Sequence, residues 1–301
     1  MSLQKTLIAI KRKFTKSRDK WPEAKRVKAA MAQYKELNGH AFDINDPKLF
    51  TEKIIWYKLF YQRDDLLRLV DKFLFKDYVK ERLGDGYTIP LYSAYESYEE
   101  FEKGWDALPD SFVLKSTIMG DGKGVKIIKD KSKVDKKALF AEVKDWFDPY
   151  NTLINSFCVA YYSAKPRIIA EKFESQVGDQ LYDYKIFCFD GEPYCFYVAI
   201  DHFPGVLSKI SLYDLDWNRR DVRYGEHPNC EVEKPVHFDE MLEIARKLSK
   251  GFPFIRVDFF ETAEKLYAAE LTLYPGGGLT PYHPEEFDRE LGDMFKLPIG
   301  K

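Results

Sequence analysis

Three constellations in this chain carry side chains able to do chemistry. The first is Val113-Leu-Lys115, followed by Met119-Gly-Asp-Gly-Lys-Gly-Val125. A lysine on a strand before a glycine-rich hairpin can cap phosphate charge. Glycines at 120, 122 and 124 let backbone N–H groups approach phosphate oxygens with no Cβ in the way. The segment is neither common phosphate loop. The GxxxxGK[ST] pattern is absent, and a dinucleotide loop leads into a helix where a strand reads here. By itself it also reads as a plain glycine-rich hairpin. The second constellation is Arg256-Val-Asp258 with Glu270-Leu-Thr272. Strand alternation puts Arg256 and Asp258 on one side, and Glu270 and Thr272 likewise. Pairing the two strands could gather Asp258, Glu270 and Thr272 on one face. Two carboxylates and a hydroxyl suit Mg²⁺, a hard cation that takes oxygen ligands. Arg256 could hold a carboxylate or acyl phosphate bidentately. Cross-strand ion pairing on an exposed sheet is the plainer alternative, but Pro275-Gly-Gly-Gly278 follows directly, and a glycine loop beside paired carboxylates looks like a substrate loop. The third is Glu171-Lys-Phe-Glu174, after an apolar strand. A backbone hinge there could read an adenine edge, with Glu174 accepting from ribose hydroxyls. A solvated strand end is the alternative.

The elements that must position these groups follow from periodicity. Residues 51–61 carry apolar side chains near helical spacing, with Thr51 as N-cap, and a second helix reads from 66 to 83 before Gly84-Asp-Gly86. Then the pattern changes. Residues 87–93 read as a strand, 95–101 as a short acidic helix, and 111–116 with 124–129 as a hairpin around the glycines. An amphipathic helix spans 135–147. A strand spans 165–171, and 183–189 with 192–198 form a hairpin turning at Asp190-Gly191. A helix at 238–250 precedes strands at 254–260 and 265–270. Helices between antiparallel hairpins predict an α+β fold.

Composition bounds the function class. The chain has 301 residues, 45% hydrophobic and 16% aromatic, enough for a substantial core in two or three units. A net charge of −2 gives no global drive towards nucleic acid or anionic membrane. Cys158, Cys188, Cys195 and Cys230 form no CxxC pair and read as reduced structural thiols. No apolar run is long enough to span a bilayer and no signal peptide reads at the start, so a cytoplasmic enzyme is expected. Residues 5–28 are basic, with Lys11, Arg12, Lys13, Lys16, Arg18, Lys20, Lys25, Arg26 and Lys28. That run is either a solvated helix face or a peripheral contact with membrane or an anionic polymer.

Taken in order, Asp71-Lys72, Phe112-Val-Leu-Lys115, the Gly120/Gly122/Gly124 loop, Ile169-Ala-Glu171-Lys-Phe-Glu174, Arg256-Val-Asp258 and Glu270-Leu-Thr272 before Pro275 resemble the ATP-grasp superfamily. The chain is similar, more narrowly, to the TupA-like ATP-grasp family, linked to teichuronopeptide and other cell-surface polysaccharide biosynthesis. Residues 51–58, 183–193, 213–218, 248–259 and 286–293 carry that likeness. The resemblance implies an ATP-grasp fold of two α+β subdomains clamping ATP, with a helical N-terminal extension. It implies a helical region at 1–70, an entry segment at 71–107, a glycine-rich lid subdomain at 108–172 and a C-terminal subdomain with the metal site at 173–301. Lys72 and Lys115 would bind ATP phosphates under the Gly120–Gly124 lid. Glu171 and Phe173 would lie at the adenine hinge and Glu174 near ribose. Asp183 and Lys185 would face the nucleotide or the phosphoryl group. Asp258 and Glu270 would hold Mg²⁺, with Thr272 where the family usually has asparagine. Arg256 would steady the acyl phosphate, and residues 275–278 would border the acceptor.

The implied activity is an ATP- and Mg²⁺-dependent ligase joining a small-molecule or polysaccharide-precursor carboxylate to an amine. Residues 1–70 read as helices where an α/β pre-domain usually supplies part of the acceptor site, so that pocket must be built differently. Three other readings stand beside the ligase. One is a glycosyltransferase holding a nucleotide sugar through Asp214-Leu-Asp216, although Tyr213-Asp-Leu-Asp-Trp-Asn218 also reads as a turn. The others are a sugar kinase and a non-catalytic nucleotide-binding module on the same fold. His40, His202, His227, His237 and His283 are scattered and suggest no triad.

Overall fold

The computed structural model describes residues 18–120, 122–175, 182–200 and 207–299. Four helices come first: α1 (Glu23–Asn38), α2 (Phe50–Phe60), α3 (Leu66–Val70) and α4 (Leu74–Leu83). α2 is buried around most of its circumference. Phe50, Ile54, Ile55, Tyr57 and Leu59 are joined inside by Thr51, Glu52 and Lys58, as befits a helix with no polar face. Thr51 is not its N-cap. The helix starts at Phe50, the Glu52 carboxylate accepts from Lys48 and Leu49 N–H, and Thr51 donates its N–H and hydroxyl to Asp288 (2.9 and 2.7 Å).

The single helix expected over 66–83 is two helices. Asp71 Oδ1 accepts from Phe73 N and Leu74 N (2.9 and 3.1 Å), a local cap that competes with continuing the helix. Lys72 N–H is drawn away to Thr117 O (3.1 Å). The break therefore ties the helices to the first sheet and places Lys72 at its edge.

That first sheet is antiparallel, in the order β1 (Leu91–Tyr95), β4 (Ile168–Lys172), β2 (Phe112–Ser116), β3 (Val125–Ile128). β1 begins four residues later than periodicity predicts, because Lys172 N–H bonds Pro90 O and the ladder starts after that proline. The acidic helix likewise begins later, as α5 (Tyr98–Gly104), where the Ser97 side chain accepts from Glu100 N. α6 (Lys136–Trp146) is capped by Asp135, which accepts from Ala138 N. Phe101, Leu139, Phe140, Val143 and Trp146 of these helices pack against Phe112, Leu114, Ile168 and Ala170 of the sheet.

The second sheet is also antiparallel, in the order β10 (Leu266–Thr272), β9 (Phe254–Glu261), β5 (Tyr182–Phe189), β6 (Glu192–Ile200), β7 (Lys209–Tyr213). The β5–β6 turn is left-handed at both central residues, Asp190 (φ 50°) and Gly191 (φ 85°), as a two-residue hairpin requires. A small pair, β8 (Arg223–Tyr224) with β11 (Tyr282–His283), leads to α8 (Glu285–Met294), a helix periodicity had not suggested. The main core joins this sheet to α2, α3, α4, α8 and α7 (Phe238–Ser249). The architecture is thus α+β, as expected: antiparallel sheets with helices, preceded by a helical stretch.

Of the basic run, Lys11, Arg12, Lys13 and Lys16 lie outside the described residues. Arg18 sits 4.8 Å from the Phe157 ring centre, Lys25 3.9 Å from Trp21 and Arg26 5.3 Å from Tyr162. These three cations each pack on an aromatic ring, while Lys20, Lys25 and Lys28 are exposed. Among the described residues no helix is long and apolar enough to cross a membrane.

Candidate functional site

A small cleft opens between the two sheets, lined by Lys72, Lys76, Lys115, Glu171, Ala268 and Ala269 with Phe75 and Ile89. On β2, Phe112, Leu114 and Ser116 turn to the core, so Val113 and Lys115 face the cleft. Val113 pairs with Glu171 across the ladder, which makes Lys115 and Glu171 diagonal neighbours on one face. Lys115 Nζ lies 2.6 Å from Glu171 Oε2, and Lys76 Nζ lies 2.5 Å from Oε1. Burial alone would push the Glu171 carboxyl up, but the two ammonium groups outweigh it and hold it below the usual carboxylate range. Lys76, which also donates to Ile89 O (2.7 Å), is pulled down by burial more than Glu171 lifts it. The Glu171 side chain, expected at an adenine hinge, is thus committed to two lysines. Lys76 was missed by sequence reasoning.

Lys72 reaches across the cleft. Its Nζ donates to Met119 O (3.2 Å) and pairs with Glu270 Oε1 (3.3 Å) on β10. Beyond Met119, Gly122 (φ 67°) and Gly124 (φ 66°) are left-handed, and a Cβ at 124 would come within 2.8 Å of Met119 Sδ and Ser116 Cβ. Gly120 is less constrained, since its Cβ would make ordinary contact with Leu153. Glu174 accepts from the Tyr267 hydroxyl (3.0 Å) and pairs with Lys172 (2.8 Å). Phe173 stands 5.9 Å from Lys129 Nζ. The segment after β4 is therefore tied to β10.

On the second sheet the predicted carboxylates do come together. Glu270 is the direct cross-strand partner of Asp258, and Thr272 that of Arg256. Lys185 on β5 is the partner of Asp258 from the other side. Arg256 grips Asp258 with two hydrogen bonds of 2.6 Å, Nε to Oδ1 and Nη2 to Oδ2, and donates to Thr272 Oγ1 at 3.0 Å. Lys185 lies 3.1 Å from Asp258 and 3.4 Å from Asp183. Burial would raise the Asp258 carboxyl, yet Arg256 and Lys185 together hold it below its usual value. Burial also pulls Lys185 down, and Asp183 with Asp258 reverses this and holds it up. Charges of both signs interleave along one face of β5, β9 and β10.

Asp258 and Glu270 are oxygen donors of the type Mg²⁺ takes, but both Asp258 oxygens are held by Arg256 and Lys185 and Thr272 Oγ1 accepts from Arg256, so the ion would have to displace those cations. That ion takes only one or two carboxylates from a protein and the rest of its oxygens from water and phosphate. Asp258 and Glu270 are side by side, and among the described residues Glu270 is engaged only through Oε1.

Asp214 and Asp216 are elsewhere, just past β7, at the sheet edge opposite β10. Asp214 Oδ1 accepts from Asp216 N and Asn218 N (2.9 and 2.8 Å), and Oδ2 accepts from Asn218 Nδ2. Asp214 is a turn residue. His40, His227 and His237 bond Asn38 O, Ser208 O and Glu261 away from the cleft, and His202 lies outside the described residues.

The chain is similar in fold to several solved structures. The D-alanine–D-alanine ligase of Bacillus anthracis, solved with ATP, is 16% identical over 68% of this chain and 53% of its own, with a TM-score of 0.39. The same ligase from Helicobacter pylori is 16% identical over 75% and 61%, with a TM-score of 0.43. A RimK domain ATP-grasp protein from Sphaerobacter thermophilus is 11% identical over 76% and 67%, with a TM-score of 0.40. The chain thus spans little more than half the length of the first of these. No curated protein sequence matches it. A profile described as TupA-like ATPgrasp matches residues 52–296. That span contains both sheets and every cleft residue from Lys72 to Thr272; the fold is ATP-grasp, and the chain belongs to the TupA-like ATPgrasp family.

Proposed function

We propose that this protein is an ATP- and Mg²⁺-dependent ligase that joins a carboxylate to an amine through an acyl phosphate, in the biosynthesis of cell-surface polysaccharide. The polysaccharide context rests on the family alone. The observation that carries the chemistry is the facing of Asp258 and Glu270, with Lys72, Lys185 and Arg256 within ion-pair distance of them.

In the first step an oxygen of the substrate carboxylate bonds to the γ-phosphorus of ATP, the bond to the β,γ-bridging oxygen breaks, and ADP leaves. In the second the amine nitrogen bonds to the acyl carbon, the C–O bond to phosphate breaks, and the amine proton passes to phosphate or solvent. Phosphoryl transfer asks the protein mainly for position and charge. Lys72 and Lys115 line the cleft beside the glycine loop and are suited to the phosphates. Arg256 already holds a carboxylate bidentately and can orient that of the substrate. Lys185 beside Asp183 supplies further positive charge to the same face. Asp258, Glu270 and Thr272 would hold Mg²⁺, which when bound screens the phosphate charge. The glycine loop at 120–124 closes over the phosphates and excludes water.

The test is calorimetry of ATP and UDP-glucose with wild type and Lys115→Ala, with and without Mg²⁺. ATP binding that needs Mg²⁺ and falls in the variant is expected. Binding of UDP-glucose without ATP would overturn the reading.

A further inference from the structure

The strand pairings that join Glu270, Asp258 and Lys185 continue one strand further. Lys185 is the direct partner of Tyr197 on β6. Tyr197, Lys185, Asp258 and Glu270 therefore form one row across four strands and share a face. The row ends at Tyr197, because its next partner, Leu212 on β7, is fully buried. The face is open along the row: the Glu270 and Asp183 side chains are 29% and 26% exposed.

Two donors on this face are unengaged. The Tyr197 ring is fixed: it lies parallel to that of Phe187, with centroids 6.3 Å apart, and meets the Tyr224 ring edge-on at 5.2 Å. Tyr197 is only 8% exposed, yet among the described residues its hydroxyl has no hydrogen-bond partner. A buried phenol ordinarily finds one. The charged groups that act on it are Arg256, Asp258 and Asp183, so its polar end belongs to the charged face. Burial pushes the phenol well above its usual range, Arg256 opposing and the two carboxylates reinforcing, so the hydroxyl keeps its proton and can donate it. The second donor is on Arg256. Its Nε and Nη2 are committed to Asp258 and Thr272, and among the described residues Nη1 is not engaged.

We propose that Tyr197 is a further binding residue for the substrate carboxylate, its hydroxyl donating to the same group that Arg256 Nη1 holds. The assignment rests on the ligase reading above. A carboxylate accepting from a guanidinium and a phenol is fixed in its plane as well as in its place. Because Tyr197 closes one end of the row, the carboxylate enters from that end. Its attacking oxygen is then left towards the Asp258–Glu270 end, where that reading puts the phosphoryl group. The Tyr197 ring, held by Phe187 and Tyr224, supplies the rigidity that such positioning needs.

The experiment loads the full chain with Mg²⁺ and a non-hydrolysable ATP analogue, so that the triphosphate site is filled. Acetate, the simplest carboxylate probe, is then titrated by calorimetry into wild type, Tyr197→Phe and Tyr194→Phe. Tyr197→Phe removes one oxygen and keeps the ring. Tyr194→Phe is the control, since it removes a hydroxyl that donates to Glu290 on α8 (2.7 Å). Acetate is expected to bind the wild type, at least tenfold more weakly to Tyr197→Phe, as for a lost hydrogen bond to a charged group, and equally well to Tyr194→Phe. The analogue's affinity is expected to be the same in all three. Because the Tyr197 hydroxyl has no partner among the described residues, Tyr197→Phe is also expected to resist urea at least as well as the wild type. Equal acetate affinity in wild type and Tyr197→Phe, equal weakening in both variants, no acetate binding to wild type, or a Tyr197→Phe that loses stability overturns the assignment. Failure of the analogue to bind overturns the ATP reading instead, and the acetate titrations without it still decide on Tyr197.

Discussion

Glu270 stands opposite Asp258 because the β9–β10 ladder gives up one residue, Ala269, to a bulge between Ala268 and Glu270. Strict alternation from Leu266 and Ala268, which pair with Glu261 and Phe259, would turn Glu270 to the face of Val257, inside the core. The extra residue reverses the phase, and the second carboxylate emerges beside the first. Bulges re-aim side chains in this way at functional sites.

Ala269 itself lines the cleft between the sheets. Ala269→Leu fills that space with little effect on the core, since the side chain points out of it. Affinity for ATP is expected to fall roughly tenfold, about 1.4 kcal/mol, with unfolding free energy changed by less than about 1 kcal/mol. Calorimetry and urea denaturation check the two halves. Unchanged ATP affinity would show that the nucleotide lies elsewhere.

Glu171 compensates two buried lysines at once. In Glu171→Gln, Lys76 and Lys115 face a neutral amide. Removing one partner of a buried pair costs about 3–5 kcal/mol, and urea denaturation at neutral pH is expected to show a loss near the lower figure. A loss under about 1 kcal/mol, the scale of exposed pairs, would mean that the cluster is solvated.

Burial pulls the Lys58 ammonium down to about 8 from its ordinary 10.5, Cys158 opposing and Arg18 reinforcing the shift. Between those values the unfolded chain binds more protons than the folded one, so stability rises with pH. The penalty is present in full below pH 8 and is relieved as pH climbs towards 10.5. Lys58→Met is expected to lack this rise and to be more stable near pH 7 by roughly 3 kcal/mol. Denaturation from pH 7.5 to 10 in phosphate-free buffer measures the difference. Parallel pH profiles would remove Lys58 as its source.

Asp214 spends its carboxylate on a turn that holds Trp217 at φ 66°. Asp214→Ala is expected to cost about 1–2 kcal/mol of stability through the lost hydrogen bonds, and to leave ATP binding and turnover unaltered. Loss of turnover with the fold intact would restore the nucleotide-sugar reading.

The amino-acid sequence by itself determined which groups this protein has to work with and their order along the chain. It also determined most elements, because strand and helix periods are local. The β2–β3 hairpin, the Asp190-Gly191 turn, α6 and α7 all fall within a few residues of their expected places. The family followed from ordered motifs, Lys115, Glu171, Arg256-Val-Asp258 and Glu270, and the profile match agrees. What sequence reasoning missed depends on contacts between distant segments. The helix break at Asp71–Phe73 is held by Thr117 from the first sheet, and Thr51 is claimed by Asp288, 237 residues away. Lys76 joins the cleft only because folding brings α4 within ion-pair reach of Glu171 on β4. Lys58 is exceptional only because folding buries it without an acid. A periodicity describes one segment at a time, whereas phase at a bulge, the partner of a charge and the absence of a partner are decided when segments meet.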